Sequence, residues 1–259
     1  MKTTTYTVRQ SKSQQAIAAV TAYDTITATL ADRAGIDVIL VGDSVGTTLL
    51  GYETTIPVTL AAMLHHTAAV VRAKNRALIV ADLPFAEGHR EYARMFDSCT
   101  RLMQEAGAEA IKIEGGEPIA SKVARLTAAG IPILGHIGLL PQQVLKLGRY
   151  RRFGKTEAEQ RQLLADAQAL EDAGAFAIIG EMIVPEVATD IAQRISIPLI
   201  GIGCGKGCDG QILVSTDLLG LTLGKVPSFA KAYVQLAQTV EQAFTHYAKD
   251  VREQCFPEP

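Results

Sequence analysis

The feature that most constrains this chain is a repeated pair of patterns, a short apolar run rich in β-branched residues followed by a longer segment with helical spacing. The runs Ile17–Ala22, Val38–Val41, Ala77–Asp82, Ala110–Glu114, Ile133–His136, Phe176–Glu181 and Pro198–Ile202 read as strands, with Ile212–Ser215 as an eighth. Helical spacing is expected from Asp24 to Ala34, Thr59 to Ala73, Arg90 to Ala106, Pro118 to Ala129, Thr156 to Ala173 and Val184 to Arg194. A last amphipathic helix is expected over Phe229 to Tyr247. Gly35 and Gly107 fit helix stops, and Thr156 with Glu159 reads as a capping box. Strands that are apolar on both faces and alternate with helices belong to a covered parallel sheet. Seven or eight such units in 259 residues predict an α/β fold of the (β/α)8 barrel type, one domain over residues 1–259.

The polar residues fall in a pattern of their own. Asp43, Asp82, Glu114, His136 and Glu181 all sit at or just past the C-terminal ends of predicted strands, the face where barrels of this kind carry their sites. In Ala110-Ile-Lys-Ile-Glu-Gly-Gly116, alternation sends Lys112 and Glu114 to one face of the strand and Ile111 and Ile113 to the other. A charge pair on an inner face is a poor way to build a core, because a buried charge is costly unless paired or bound to metal. Asp43, Asp82 and Glu114 offer oxygen ligands suited to a hard cation, Mg2+ or Mn2+, with positions left open for substrate oxygens. Lys112 can meet a substrate carboxylate or a developing enolate. Glu181 follows Ala177-Ile-Ile-Gly180, and apolar neighbours raise a carboxylate toward the pKa of a general base. His136 reads equally as a substrate ligand or as a satisfied core residue.

Other features narrow the function. A net charge of −2 gives no drive toward nucleic acid or anionic membrane, and no apolar run reaches the ~20 residues needed to span a bilayer. Met1-Lys-Thr-Thr-Thr-Tyr6 has no signal-peptide core, and the four cysteines fit reduced thiols, so a cytoplasmic setting is expected. Cys204 and Cys208 have no second ligand pair for zinc. Gly201-Ile-Gly-Cys-Gly-Lys-Gly207 lacks the third glycine of a dinucleotide fingerprint and the hydroxyl residue of a P-loop. Lys146, Arg149, Arg151, Arg152 and Lys155 make a basic loop, solvated or able to attract an anionic cosubstrate tail.

Taken together, Gly42-Asp-Ser-Val-Gly46, Thr54-Thr-Ile-Pro-Val58, Asp82-Leu-Pro-Phe85, Lys112-Ile-Glu-Gly-Gly116, Gly135-His-Ile-Gly138 and Asp209-Gly-Gln-Ile-Leu213 resemble the ketopantoate hydroxymethyltransferases. The resemblance runs over nearly the whole chain. It implies a barrel of the phosphoenolpyruvate mutase and isocitrate lyase superfamily. The implied reaction moves a hydroxymethyl group from 5,10-methylenetetrahydrofolate to the ketoacid 3-methyl-2-oxobutanoate, giving 2-dehydropantoate for pantothenate and coenzyme A. It further implies Mg2+ at Asp43, Asp82 and Glu114, ketoacid contacts from Asp43, Ser44, Asp82 and Lys112, Glu181 as proton acceptor, and a large homo-oligomer, often a decamer. The chain departs from the family pattern at Ala86-Glu87-Gly88, Leu140, Gly180, Glu181-Met-Ile-Val-Pro185 (its proline one place late) and Pro227-Ser-Phe-Ala-Lys231, while the metal and base residues themselves are intact. Two alternatives stand beside this reading: a related Mg2+-dependent C–C lyase or aldol-type enzyme acting on another 2-oxo acid, although the Lys-Lys-Cys-Gly loop of such lyases is absent, and a catalytically silent binding or assembly barrel.

Overall fold

The computed structural model describes residues 1–73 and 76–257. Eight parallel strands close into a barrel in sequence order: β1 (Ile17–Thr21), β2 (Val38–Val41), β3 (Leu78–Asp82), β4 (Ala110–Glu114), β5 (Ile133–Gly138), β6 (Ala177–Glu181), β7 (Leu199–Ile202) and β8 (Gly210–Leu213). The predicted (β/α)8 architecture is therefore the observed one. The described residues form two compact units, the first covering Met1–Ile212 and the second starting at Leu213.

Alternation along the strands sorts side chains into two layers. Ile39, Val41, Ile79, Ala81, Ile111, Ile113, Ile133, Ile137, Ile178 and Leu199 join one buried cluster with helix residues such as Met63, Met95, Leu102, Leu126, Leu163, Leu170 and Ile191. The residues between them, including Val38, Leu40, Leu78, Val80, Leu134 and Ile179, are buried but outside that cluster, as the barrel interior requires. Lys112 and Glu114 fall in this second set. Leu163, Ala167 and Leu170 recur at helical spacing on Glu157–Asp172, and Gly135 of β5 leaves room for them: a Cβ there would lie 2.7 Å from Leu170 Cδ1.

Three expectations shift. The eighth strand begins at Gly210 instead of Ile212 because the chain closes against β1: Ile17 N–H donates to the Asp209 carbonyl at 3.0 Å, and a Cβ at Gly210 would lie 2.5 Å from the Ile17 carbonyl. Glycine reads as loop by propensity, yet here backbone proximity demands it. The last helix runs over Leu236–Arg252, seven residues later than Phe229, because Tyr233, Leu236 and Ala237 give their N–H groups to the carbonyls of Leu218, Leu219 and Gly220. Thr156 does cap its helix by accepting from Glu159 N–H, but the Glu159 carboxylate turns to the N–H groups of Gly154 and Lys155 and to Arg151, so the reciprocal half of the box is absent.

At the mouth, Gly138 ends β5 with φ +93°, and Leu139 N–H donates to the Glu181 carbonyl at 2.8 Å. A Cβ at Gly138 would stand 2.3 Å from that same carbonyl. Gly138→Ala combines a left-handed non-glycine residue with a backbone clash, so an unfolding free energy lower by about 3 kcal/mol is expected in a urea titration. A loss below about 0.5 kcal/mol would show that the two strand ends part freely.

Candidate active site

Five strand ends bring the predicted side chains to one place. Parallel register sets Asp82 opposite Lys112, Glu114 opposite His136, and Gly138 opposite Glu181. Asp43 follows β2, and its N–H donates to Asp82 Oδ2 at 3.2 Å. The Lys112 ammonium donates to both oxygens of Asp82, at 2.8 and 2.7 Å, and stands 3.8 Å from Glu114 Oε1. His136 lies between two carboxylates, with Nδ1 3.6 Å from Glu114 Oε1 and Nε2 3.3 Å from Glu181 Oε2. Asp43, Asp82, Lys112, Glu114 and His136 are all at most 7% exposed. Neither His136 nitrogen nor Glu114 Oε1 has a hydrogen-bond partner, although all three atoms are buried. Such atoms in a native structure call for a ligand or a catalytic role.

The charges do not balance. Four carboxylates share one ammonium. Burial raises Asp43 to about 7, with the Asp82 charge adding to it and Lys112 and Gln142 opposing. Burial likewise raises Glu181 to about 7 against the pull of Lys112. Glu114 is raised well above the ordinary carboxylate value by burial and by the charges of Asp43, Asp82 and Glu181. Burial works against the Lys112 ammonium, but Asp82, Glu114 and Asp43 outweigh it and hold its pKa above the usual value. Burial and Lys112 keep His136 neutral. An unpaired acceptor, oxygen-only donors and excess negative charge suit a hard cation. Among the described residues, no three His, Cys, Asp or Glu side chains enclose an ion by themselves, so part of any cation shell falls to substrate or water.

Ser44, a predicted ligand, sits at the rim, where the hydroxyls of Tyr23 and Ser44 share a 2.8 Å hydrogen bond. Three further residues stand near the site that the sequence reading did not place there. Gln142 donates from its side chain to Asp43 Oδ2 at 2.9 Å and from its backbone to Glu114 Oε2 at 3.1 Å. Tyr150, half exposed on the basic loop, has its phenol raised by burial and by Glu181, Asp43 and Glu114. Cys204 braces the turn after Glu181: its thiol donates to the Gly180 carbonyl at 3.0 Å and accepts from Ile183 N–H at 3.3 Å. Between those contacts Met182 takes φ +52°, a strained value for a non-glycine residue. Of the positions where the sequence departs from the family pattern, Ala86-Glu87-Gly88 lies in a short helix whose Glu87 is buried and tied to Ser98 at 2.6 Å and Arg90 at 2.9 Å. The glycine run is packed: Cβ atoms at Gly201, Gly205 and Gly207 would press on Cys208, Pro185 and Thr189.

Residues 2–259 match the family model described as ketopantoate hydroxymethyltransferase. The chain is 47% identical to the 3-methyl-2-oxobutanoate hydroxymethyltransferase of Shouchella clausii, over 100% of this chain and 92% of that protein. It is 51% identical to the enzyme of the same name from Caldivirga maquilingensis, over 96% of this chain and 94% of that one. Among solved structures, the phosphoenolpyruvate phosphomutase of Streptomyces platensis subsp. rosaceus superposes with a TM-score of 0.66 at 16% identity, covering 95% of this chain and 88% of that chain. A 2,3-dimethylmalate lyase of the PEP mutase/isocitrate lyase superfamily gives 0.61 at 16%, covering 100% and 90%. Both share the fold.

The raised carboxylates carry a pH signature. In the unfolded chain carboxylates titrate near 4, so the stability that the protonated forms of Asp43 and Glu181 confer is complete below that pH and lost as pH rises through about 7. Without divalent cation, the melting temperature is expected to fall by several degrees from pH about 5 to about 8. A flat profile would mean that these groups ionise as exposed carboxylates do.

Proposed function

The chain belongs to the ketopantoate hydroxymethyltransferase family, and from that premise we propose how its own residues carry the transfer. As an enzyme of this family it moves a hydroxymethyl group onto 3-methyl-2-oxobutanoate on the route to pantothenate. In our reading 5,10-methylenetetrahydrofolate is the donor, and Asp43, Asp82 and Glu114 would hold Mg2+ together with oxygens of substrate or water. A bound divalent cation supplies Lewis acidity, polarising the keto oxygen and so acidifying the C3–H.

The protein's groups do the rest. Lys112, pinned by both oxygens of Asp82, offers a fixed positive charge to the oxygen on which the enolate develops, with no reorganisation needed at that moment. Ser44 and Asp43 position the ketoacid at the rim of β2. Glu181 accepts the C3 proton. Its raised pKa makes it a base matched to neutral pH; the C3–H bonding pair becomes the C2–C3 double bond while the carbonyl π pair moves onto oxygen. The enolate carbon then forms the new C–C bond to the one-carbon unit, whose two C–N bonds to the folate are broken; water supplies the hydroxyl oxygen, and tetrahydrofolate leaves with its nitrogens protonated. Neutral His136, whose Nε2 stands 3.3 Å from Glu181 Oε2 without a hydrogen bond to it, is left free to meet the substrate. The observation that carries this reading is the buried Lys112–Asp82 pair with Glu114 and Glu181 beside it. Identity of 47% and 51% along the full barrel leaves the lyase and silent-barrel alternatives unfavoured.

The same reading extends to residues 1–259 acting as one barrel domain, to a cytoplasmic setting and to a homo-oligomer, a decamer by resemblance. Val240, Phe244 and Tyr247, exposed on Leu236–Arg252, are candidate contacts for the oligomer. Its partners are the ketoacid and folate, with no nucleic acid. No helix among the described residues is long and apolar enough to cross a membrane.

Proton NMR of 3-methyl-2-oxobutanoate in D2O with protein and Mg2+ tests the enolisation directly. Loss of the C3–H signal, stopped by chelator, is the expected result; no exchange even with tetrahydrofolate and formaldehyde present would overturn the reading. Glu181→Gln should leave ketoacid binding within about twofold while slowing exchange by roughly 10²–10⁴. Asp82→Ala should abolish the Mg2+ dependence of ketoacid binding, and an unchanged titration with and without Mg2+ would remove Asp82 from the metal site.

A further inference from the structure

Behind the Ser44 hydroxyl stands a second hydroxyl that is closed to solvent. Tyr23 follows β1 and is 2% exposed, with its ring in the buried apolar cluster. Its phenol oxygen lies 2.8 Å from Ser44 Oγ, just past the end of β2. Ser44 itself is only half-buried. The backbone of Tyr23 is fixed as well, because His66 Nδ1–H donates to its carbonyl at 2.8 Å. Acidity sets the direction of the Tyr23–Ser44 bond. A phenol is the stronger acid and the better donor, and a serine oxygen is the better acceptor. Burial holds the phenol above its ordinary pKa, so it keeps its hydrogen. The hydroxyls of Thr21 and Thr48 also lie beside the phenol and can supply hydrogens to its oxygen, leaving its own for Ser44. A hydroxyl that accepts one hydrogen bond in this way donates a stronger one.

We propose that Tyr23 is a positioning residue for the ketoacid: its buried phenol engages Ser44 Oγ as an acceptor and so turns the serine hydrogen outward, toward a carboxylate oxygen of the substrate. The inference rests on the reading of Ser44 as a ketoacid ligand. Tyr23 is closed to solvent and acts through Ser44. The arrangement suits an anion. A carboxylate only accepts hydrogen bonds, whereas a serine hydroxyl left to rotate would as readily aim a lone pair at it. The phenol occupies the acceptor side of Ser44 beforehand, so the rotor is ordered before the ligand arrives and binding bears less of that cost.

The test is a double-mutant cycle, read by calorimetric titration of the full chain with 3-methyl-2-oxobutanoate in the presence of Mg2+. The four proteins are the unmutated chain, Tyr23→Phe, Ser44→Ala and the two changes together. Phenylalanine keeps the ring and its packing and removes only the phenol oxygen. Tyr23→Phe alone should weaken ketoacid binding about fivefold, the size of one lost hydrogen bond. Exchange of C3–H at saturating ketoacid should stay within about twofold, because a contact made equally in the ground and transition states sets binding and not turnover. In the Ser44→Ala background the same change should alter binding by less than about twofold, since the partner through which it acts is gone. An equal loss in both backgrounds would show that the phenol merely supports the fold, and it would overturn the proposal, as would no loss in either. An unmutated protein that binds no ketoacid, or a Ser44→Ala protein that binds it undiminished, would instead overturn the reading of Ser44 as a ligand. A second measurement keeps the hydroxyl in place: 3-fluorotyrosine at position 23 should show a fluorine NMR shift on ketoacid addition that is largely lost with Ser44→Ala. Equal shifts in the two backgrounds, or none, would overturn the proposal even where Tyr23→Phe fails to melt cooperatively.

Discussion

Lys112 and Asp82 face each other across neighbouring parallel strands inside the barrel, and both oxygens of the aspartate accept from the one ammonium. An ammonium this buried could not stay charged alone, and removing either partner of such a pair costs about 3–5 kcal/mol. The pair therefore ties electrostatics to strand register. A slip of one residue in β4 would swing Ile111 and Ile113 into the barrel and the two charges into the apolar layer beneath the helices. Once the register is set, Glu114 follows on the same face two residues later, and the chain after β2 is drawn in as Asp43 N–H bonds to Asp82.

What this arrangement leaves undone is as informative as what it satisfies. One ammonium and a neutral imidazole stand among four carboxylates, and burial pushes three of them, Asp43, Glu114 and Glu181, upward in pKa. A core built for stability alone would pair or omit these groups. Here one acceptor on Glu114 and both nitrogens of His136 are buried without a hydrogen-bond partner. The neutral imidazole between Glu114 and Glu181 separates a carboxylate assigned to binding from one assigned to proton removal, which is a physical basis for giving them different roles.

The loop between β5 and the helix Glu157–Asp172 holds the mouth from two sides. It leaves through Gly138, whose lack of a side chain lets the ends of β5 and β6 meet, and reaches Asp43 and Glu114 through Gln142. It returns through Phe153, whose backbone pairs with Ile183 just past Glu181. With Cys204 bracing the same turn from β7, the left-handed Met182 is held in place and Glu181 with it. The position of the Glu181 carboxylate is thus decided by three segments distant in sequence.

Much of this was legible without coordinates. Period-two alternation in Ala110–Glu114 placed Lys112 and Glu114 on one face, and the repeat of strand and helix led to the barrel and to the end at which Asp43, Asp82, His136 and Glu181 would gather, because side-chain direction and parallel topology follow from local pattern. The late start of the last helix, the early start of β8 and the one-sided cap at Thr156 were not legible, because each depends on a backbone group finding a partner elsewhere in the chain. Nor was Gln142, whose neighbours in sequence carry no periodic signal and whose role exists only where β2 and β4 meet the loop. What the sequence by itself determined is which residues carry charge and which way each strand presents them; what only the tertiary structure decided is which oxygen of each carboxylate is taken and which is left open, since hydrogen-bond partners are set by proximity in space and not by order along the chain.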